Sequence, residues 1–160
     1  MAGKGGKHKE QAARIENRRA LHEYAVSHKI ECGMVLVGSE VKSLRAGHAQ
    51  LQEAYAKIEG DRLILRNCHI DPYAQASLVY NHEPRRDRFL LVHRREMKKI
   101  ADAVSVKGTT LVPLAIYFVN GRAKLELAVA SGKQQYDKRA TIRKKEQDRD
   151  LRRQLMTHRR

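Results

Sequence analysis

At 160 residues the chain has room for one domain with tails and little room for two. Its 33 Lys and Arg stand against 18 Asp and Glu, a formal charge of +15 that exceeds what solubility asks of a small domain and points to a polyanionic partner. Six Tyr, two Phe and no Trp disfavour binding through many stacked bases and favour phosphate contacts and shape, as on structured RNA. No run approaches the roughly 18 apolar residues of a membrane span, and Met1 to Lys9 carries Gly and Lys without an apolar stretch, so a soluble cytoplasmic protein is expected.

Residues 1–16 read as a mobile basic arm, with Gly3, Gly5 and Gly6 discouraging a fixed fold. Asn17 is a credible N-cap, and Leu21, Tyr24 and Ala25 share one face, which predicts a short helix from Arg18 to Ser27. Ile30 to Val37 reads as a strand interrupted by Gly33. Ser39 can cap a second helix with Val41 and Leu44 facing inward and Gly47 ending it. Leu51 to Ile58 and Arg62 to Ile70, joined by Glu59-Gly60-Asp61, suit a hairpin. Asp71-Pro72 marks a turn, and Tyr73 to Arg88 reads as a loop.

Phe89 to Val92 is a short apolar run, followed by Met97, Ile100, Ala101 and Val104 at helical spacing within Arg94 to Val104, with Gly108 beyond. The clearest local signal is Leu111 to Val119, Asn120-Gly121, then Arg122 to Ala130, because Asn-Gly supplies the positive φ angles of a two-residue type I′ turn. Leu125, Leu127 and Val129 alternate with Lys124, Glu126 and Ala128, which predicts a strand with one buried face. Pro113 belongs at an edge or bulge. Several strands with short hairpins and about three short flanking helices predict a mainly β body over residues 17–130, a small antiparallel OB-like barrel.

After Gly132 come 28 residues without Gly or Pro. Residues 131–160 hold 11 Lys or Arg against 4 Asp or Glu, a net of +7, and Ile142, Leu151, Leu155 and Met156 make no stripe wide enough to pin a helix to the core. This predicts a basic tail that is largely unfolded alone and helical against a partner, with a reach of roughly 40 Å at about 1.5 Å per residue.

Catalytic signatures are missing. There is no Walker lysine loop, His-Glu-x-x-His, Gly-x-Ser-x-Gly or zinc-deaminase pattern, and His93-Arg94-Arg95-Glu96 lacks the Asp and companion motifs of a kinase catalytic loop. Cys32 and Cys68 are too few and too far apart for a zinc ribbon or a disulfide framework and read as small core residues. His22 and His93 have no second ligand at a useful spacing. No metal, cofactor or enzymatic activity is expected.

The segments Asn17-Arg18-Arg19-Ala20-Leu21-His22-Glu23-Tyr24, Gly38-Ser39-Glu40-Val41-Lys42-Ser43-Leu44-Arg45-Ala46-Gly47, His69-Ile70-Asp71-Pro72-Tyr73 and His93-Arg94-Arg95-Glu96 resemble the family of small protein B (SmpB, the SsrA-binding or tmRNA-binding proteins). So does the run from Thr110-Leu111-Val112-Pro113-Leu114 through Tyr117-Phe118, Asn120-Gly121-Arg122 and Glu126-Leu127-Ala128 to Gly132-Lys133 and Tyr136-Asp137-Lys138-Arg139. The resemblance implies an OB-like barrel that grips the tRNA-like domain of tmRNA. It also implies a tail that occupies the vacant decoding centre and mRNA channel of a stalled 70S ribosome during trans-translation. Alanyl-tmRNA would be delivered with elongation factor Tu, and alanyl-tRNA synthetase would be an indirect partner through tmRNA.

Carried over by position, Asn17, His22, Glu31, Lys42, Arg45, Leu91 and Lys124 look like tmRNA-contact positions. Gly132, Lys133, Tyr136, Asp137, Lys138 and Arg139 look like the hinge and ribosome-reading motif, with Leu155 and Met156 as an apolar anchor. Some members carry His at the Tyr136 position. Each residue also has a plainer reading. The cations can be solvated surface charges, Asn17 a helix cap, Leu91 a core residue, and His22 and His93 buried, hydrogen-bonded histidines. Glu31, which would repel phosphate, could accept from base amino groups, orient an Arg, or pair with Lys29 or Lys124. By charge alone, a structural ribosomal protein is the alternative.

Overall fold

The computed structural model describes residues 13–133 and 135–157, so most of the expected N-terminal arm lies outside the described residues. The chain joins the body at β1 (Ile15–Glu16), runs through α1 (Arg18–Glu23) into β2 (Tyr24–Met34), and turns through α2 (Gly38–Arg45). The short strand β3 (Ala49–Gln50) precedes the hairpin β4 (Tyr55–Glu59) and β5 (Arg62–Arg66), then β6 (His69–Ile70). A loop with one 3₁₀ turn at Leu78–Tyr80 leads to β7 (Arg88–Leu91) and α3 (Arg94–Val104). The long hairpin β8 (Thr109–Val119) and β9 (Arg122–Gly132) completes the body, and α4 (Gln135–Thr157) follows.

The sheet closes on itself. From β8 the pairing runs through β4, β5, β7 and β2 to β9, and β9 pairs back to β8, with every contact antiparallel. β1 adds to the outside of β8, and β3 pairs with β6 as a separate ribbon. This is the small antiparallel OB-like barrel expected from the sequence. Its weakest seam is β4 to β8, where a single pair, Ala56 opposite Leu111, meets.

Inside the ring, Ile30, Cys32, Leu63, Leu65, Leu111, Ile116, Leu125, Leu127 and Val129 form one apolar core, closed by Leu44 of α2 and Ile100 of α3. Cys32 and Cys68 are both buried there as free thiols, and burial pushes them up to about 12 and about 11. A second cluster lies on the outer face of the long hairpin, where Ala20 of α1 covers Val112, Leu114, Ala128 and Ala130. β9 therefore has both faces buried from Leu127 to Ala130, and Ala128, expected to face solvent, is fully buried beneath α1.

The end of the first helix differs from the sequence reading because a strand claims its last residues. The expected helix to Ser27 stops at Glu23, because Tyr24, Ala25 and Val26 lie opposite Gly132, Ser131 and Ala130 of β9. A bulge follows at Ser27, whose hydroxyl donates to the Val129 carbonyl at 2.9 Å. Helix propensity over one turn is worth little against a paired strand. The Asn120-Gly121 turn carries φ of 50° and 77° as type I′ requires, and Pro113 sits at a bulge in β8.

A buried charge cluster anchors α2 to the loop before β7. Glu40 and Arg88 both have side-chain exposure of 0%. Glu40 accepts from the Val37 amide at 2.9 Å, from Arg86 at 2.8 and 2.6 Å, and from Arg88 Nε at 2.8 Å. Arg88 also donates to the carbonyls of Cys68, Arg86 and Pro84. The Ser39 hydroxyl, expected as a helix cap, instead bonds His82 Nδ1 at 2.9 Å, while Nε2 of the same ring meets the Ile70 carbonyl at 3.1 Å. Val37 holds the cap position, and Glu40 reaches back to its amide.

Candidate nucleic-acid interface

Three of the sequence-predicted contact residues converge on one groove. β2 runs between β7 and β9, and Gly33 on it lies opposite both Leu91 and Lys124. A Cβ on Gly33 would come within 3.3 Å of the Leu91 Cβ, so the missing side chain lets the strands approach and leaves a floor. The groove holds about 490 Å³ and is lined by Glu31, Leu91, Lys124, Val41, His93 and Arg122 among others. Leu91, which also reads as a core residue, is 60% exposed and forms an apolar ledge on its wall. His93 is exposed; it precedes α3, and its amide donates to Glu96 at 3.2 Å.

The rim is a ladder of alternating charges. Glu31 and Glu126 lie directly opposite each other on β2 and β9, a destabilising pairing unless each charge is answered. Glu126 takes Lys29 at 2.8 Å and Arg14 at 3.0 Å, and Glu31 takes Lys124 at 3.1 Å and the Tyr117 hydroxyl at 2.5 Å. The hydrogen bond from Tyr117, followed by that from Lys124, holds the Glu31 carboxyl below its ordinary value. The same bond pushes the Tyr117 hydroxyl up to about 12. Lys29 does for Glu126 what Tyr117 does for Glu31, so both carboxylates stay ionised.

Lys42 and Arg45 are exposed on α2, whose Val41 reaches the groove wall. Each cation lies over a ring, Lys42 at 5.0 Å from the centre of Tyr73 and Arg45 at 5.7 Å from that of Phe118. His22 is on α1, outside the groove lining and only partly buried. Asn17 is buried: its side-chain oxygen accepts from the Ala20 amide, and Nδ2 donates to the carbonyls of Leu51 at 2.9 Å and Pro113 at 3.1 Å. Its polar atoms are committed to joining α1, β8 and the segment before β4.

The SmpB family model, described as SmpB protein, matches residues 14–157. The chain belongs to the SmpB family. It is 47% identical over 149 residues to an SsrA-binding protein of Chloroflexus aurantiacus, covering 93% of each chain. It is 45% identical over 147 residues to one of Lactobacillus delbrueckii subsp. bulgaricus, covering 92% of this chain and 95% of the other. A solved chain from the structure "tmRNA-SmpB: a journey to the center of the bacterial ribosome" superposes with a TM-score of 0.66 at 43% identity, covering 81% of this chain and 94% of that one.

The second set of SmpB positions lies at and beyond the end of β9. Gly132 is the last residue of the strand, opposite Tyr24. Lys133 is tied to α1, its amide donating to the Glu23 carbonyl at 2.9 Å and its Nζ to the Leu21 carbonyl at 3.0 Å, a cation at a helix C-terminus. Tyr136, Asp137, Lys138 and Arg139 fall in the first turns of α4, and Leu155 and Met156 in its last. Every described side chain on α4 is exposed, including Ile142 and Leu151.

Tyr117, Phe118 and Arg14 escaped the sequence reading. The signal for Tyr117 was present. A two-residue turn at Asn120-Gly121 puts Val119 opposite Arg122, so two further pairs place Tyr117 opposite Lys124. Arg14 gave no such signal, because β1 reaches β8 from a hundred residues away in sequence.

Proposed function

We propose that this chain is a tmRNA-binding adaptor for trans-translation. The body holds the tRNA-like domain of tmRNA through the groove and the cations of α2. The reading rests on one observation above the others: Glu31, Leu91 and Lys124, distant in sequence, meet around a single open groove whose wall is reached by Val41 of α2, the helix that carries Lys42 and Arg45. The body has no enzymatic role in this reading and acts by shape and charge. Asn17 contributes by fixing the start of α1, with His22 presented from that helix.

The tail acts separately. A helix whose described side chains are all exposed draws little support from the body, so in this reading α4 is stabilised by what it binds. In the SmpB role it enters the vacant decoding centre and mRNA channel of a stalled ribosome, where Lys138 and Arg139 contact RNA phosphates and Asp137 restrains nonspecific binding. Tyr136 offers a ring for a base, and Leu155 and Met156 an apolar anchor. Lys133, bound to α1, is the fixed side of the hinge. Alanyl-tmRNA arrives with elongation factor Tu and owes its alanine to alanyl-tRNA synthetase.

The test is competition binding of the purified protein to the tRNA-like domain of tmRNA against a full tRNA and an unrelated hairpin at physiological salt. A preference of about 100-fold, roughly 2.7 kcal/mol, supports the adaptor. Equal binding to all three overturns it in favour of a general ribosomal RNA-binding protein. Truncation after Gly132 should leave this binding near intact and abolish peptide tagging. Equal loss of both would refute the division between body and tail.

A further inference from the structure

Glu31 keeps a negative charge on the rim of a groove in a chain of net charge +15, so its task is one that a phosphate cannot share. An ionised carboxylate offers about four acceptor positions. Tyr117 takes one on Oε2 and Lys124 one on Oε1, which leaves one on each oxygen of a side chain that is 49% exposed. Tyr117 is itself held. Arg14 lies 5.0 Å from the centre of its ring and is anchored by Glu16 and Glu126, each at 3.0 Å. With a partner on each oxygen, the carboxylate is stopped from turning about its last bond.

Two neighbouring acceptors are complementary to two neighbouring donors. Among the RNA bases, guanine alone has that arrangement on its pairing edge, with N1–H beside the N2 amino group. Adenine and cytosine set a donor beside an acceptor, and uracil sets one donor between two acceptors. The guanine edge is free only when the base is unpaired, which is also when a base can leave its stack and enter a groove. The exposed Leu91 offers an apolar surface on the same groove for the face of such a base.

We propose that Tyr117 is a positioning residue that, together with Lys124, holds Glu31 as a paired acceptor for the pairing edge of an unpaired guanine. This rests on the RNA-adaptor reading and names the group that its groove selects. Arg14 supports the arrangement from behind the ring.

The experiment compares the tRNA-like domain of tmRNA with the same RNA carrying inosine at its unpaired guanines, which removes the N2 amino group and nothing else. The unaltered protein should bind the parent RNA about tenfold more tightly than the inosine RNA. Tyr117→Phe should weaken binding to the parent by several-fold and leave binding to the inosine RNA nearly unchanged, at an unchanged melting temperature. Glu31→Gln, which replaces one acceptor by a donor, should erase the difference between the two RNAs. Equal weakening of both RNAs by Tyr117→Phe would overturn the proposal, since a merely structural tyrosine would act that way. If the unaltered protein prefers the tRNA-like domain to an unrelated hairpin yet ignores inosine, the inference alone falls. If it shows no such preference, the adaptor reading falls and takes the inference with it.

Discussion

Glu40 and Glu31 are both carboxylates bonded to cations, and they sit in opposite states. Glu40 accepts four hydrogen bonds, filling its acceptor capacity, and has no exposed surface. Glu31 accepts two and is half exposed. A saturated, buried carboxylate has nothing left to offer a ligand and serves the fold, while a half-filled one on a groove is held ready. In the reading proposed above, counting filled acceptor positions separates architecture from recognition where residue type cannot.

The largest effect should come from breaking the buried cluster. Glu40→Ala leaves Arg88 charged and without its carboxylate in a site of 0% exposure, a loss of about 3–5 kcal/mol. That is a large part of a small domain's stability, so urea denaturation should show a much lower midpoint or no folded baseline. Glu40→Leu combined with Arg88→Met sharpens the point. Recovery should be only partial, because Arg88 also serves the carbonyls of Cys68, Arg86 and Pro84, which a Met leaves unpaired. Full recovery would reduce the cluster to a simple ion pair.

Asn17→Ala comes next. It removes the cap of α1 and strips partners from the carbonyls of Leu51 and Pro113, for about 2–4 kcal/mol. At temperatures where the variant is folded, its RNA affinity should stay near that of the parent. A large affinity loss in a fully folded variant would return Asn17 to the RNA surface.

Acid should strip stability in part. Burial pushes the Glu40 carboxyl up, but hydrogen bonds from Arg86, the Val37 amide and Arg88 outweigh it, so the folded value lies below the ordinary 4.5. A depressed carboxylate contributes fully above its unfolded value, and the contribution is lost as pH falls through the folded one. Melting temperature should therefore hold at neutral pH and fall once pH drops below 4.5. Glu40→Gln, in conditions where it folds, should show a shallower fall. An identical slope would assign acid sensitivity elsewhere.

What the sequence disclosed and what it hid follow the same division by distance. The α3 boundaries, the Asn120-Gly121 turn and the Pro113 bulge were legible because each depends on residues a few positions apart. Arg88 read as the end of a loop, since nothing in Tyr73 to Arg88 announces a partner 48 residues earlier on α2. Tyr24 to Ser27 read as helix, since the strand that claims them lies more than a hundred residues on. The groove was half visible. Family likeness pointed to Glu31, Leu91 and Lys124, but only the closed ring brings β7, β2 and β9 side by side, and only the register shows Tyr117 behind Glu31.

The smallest effect on stability should come from the rim. Lys124→Ala removes one cation from a solvent-exposed ladder, and exposed pairs contribute little because water and salt answer the freed charge. Glu31 keeps its bond to Tyr117, and Glu126 opposite it keeps both Lys29 and Arg14. Melting temperature should consequently stay close to that of the parent while, in the adaptor reading proposed above, RNA affinity falls clearly, and more steeply at low salt than at high salt, since a cation facing the RNA is lost. A melting loss comparable to that of Glu40→Ala would erase the contrast between the two carboxylates, because it would make the open rim as much a part of the architecture as the buried cluster.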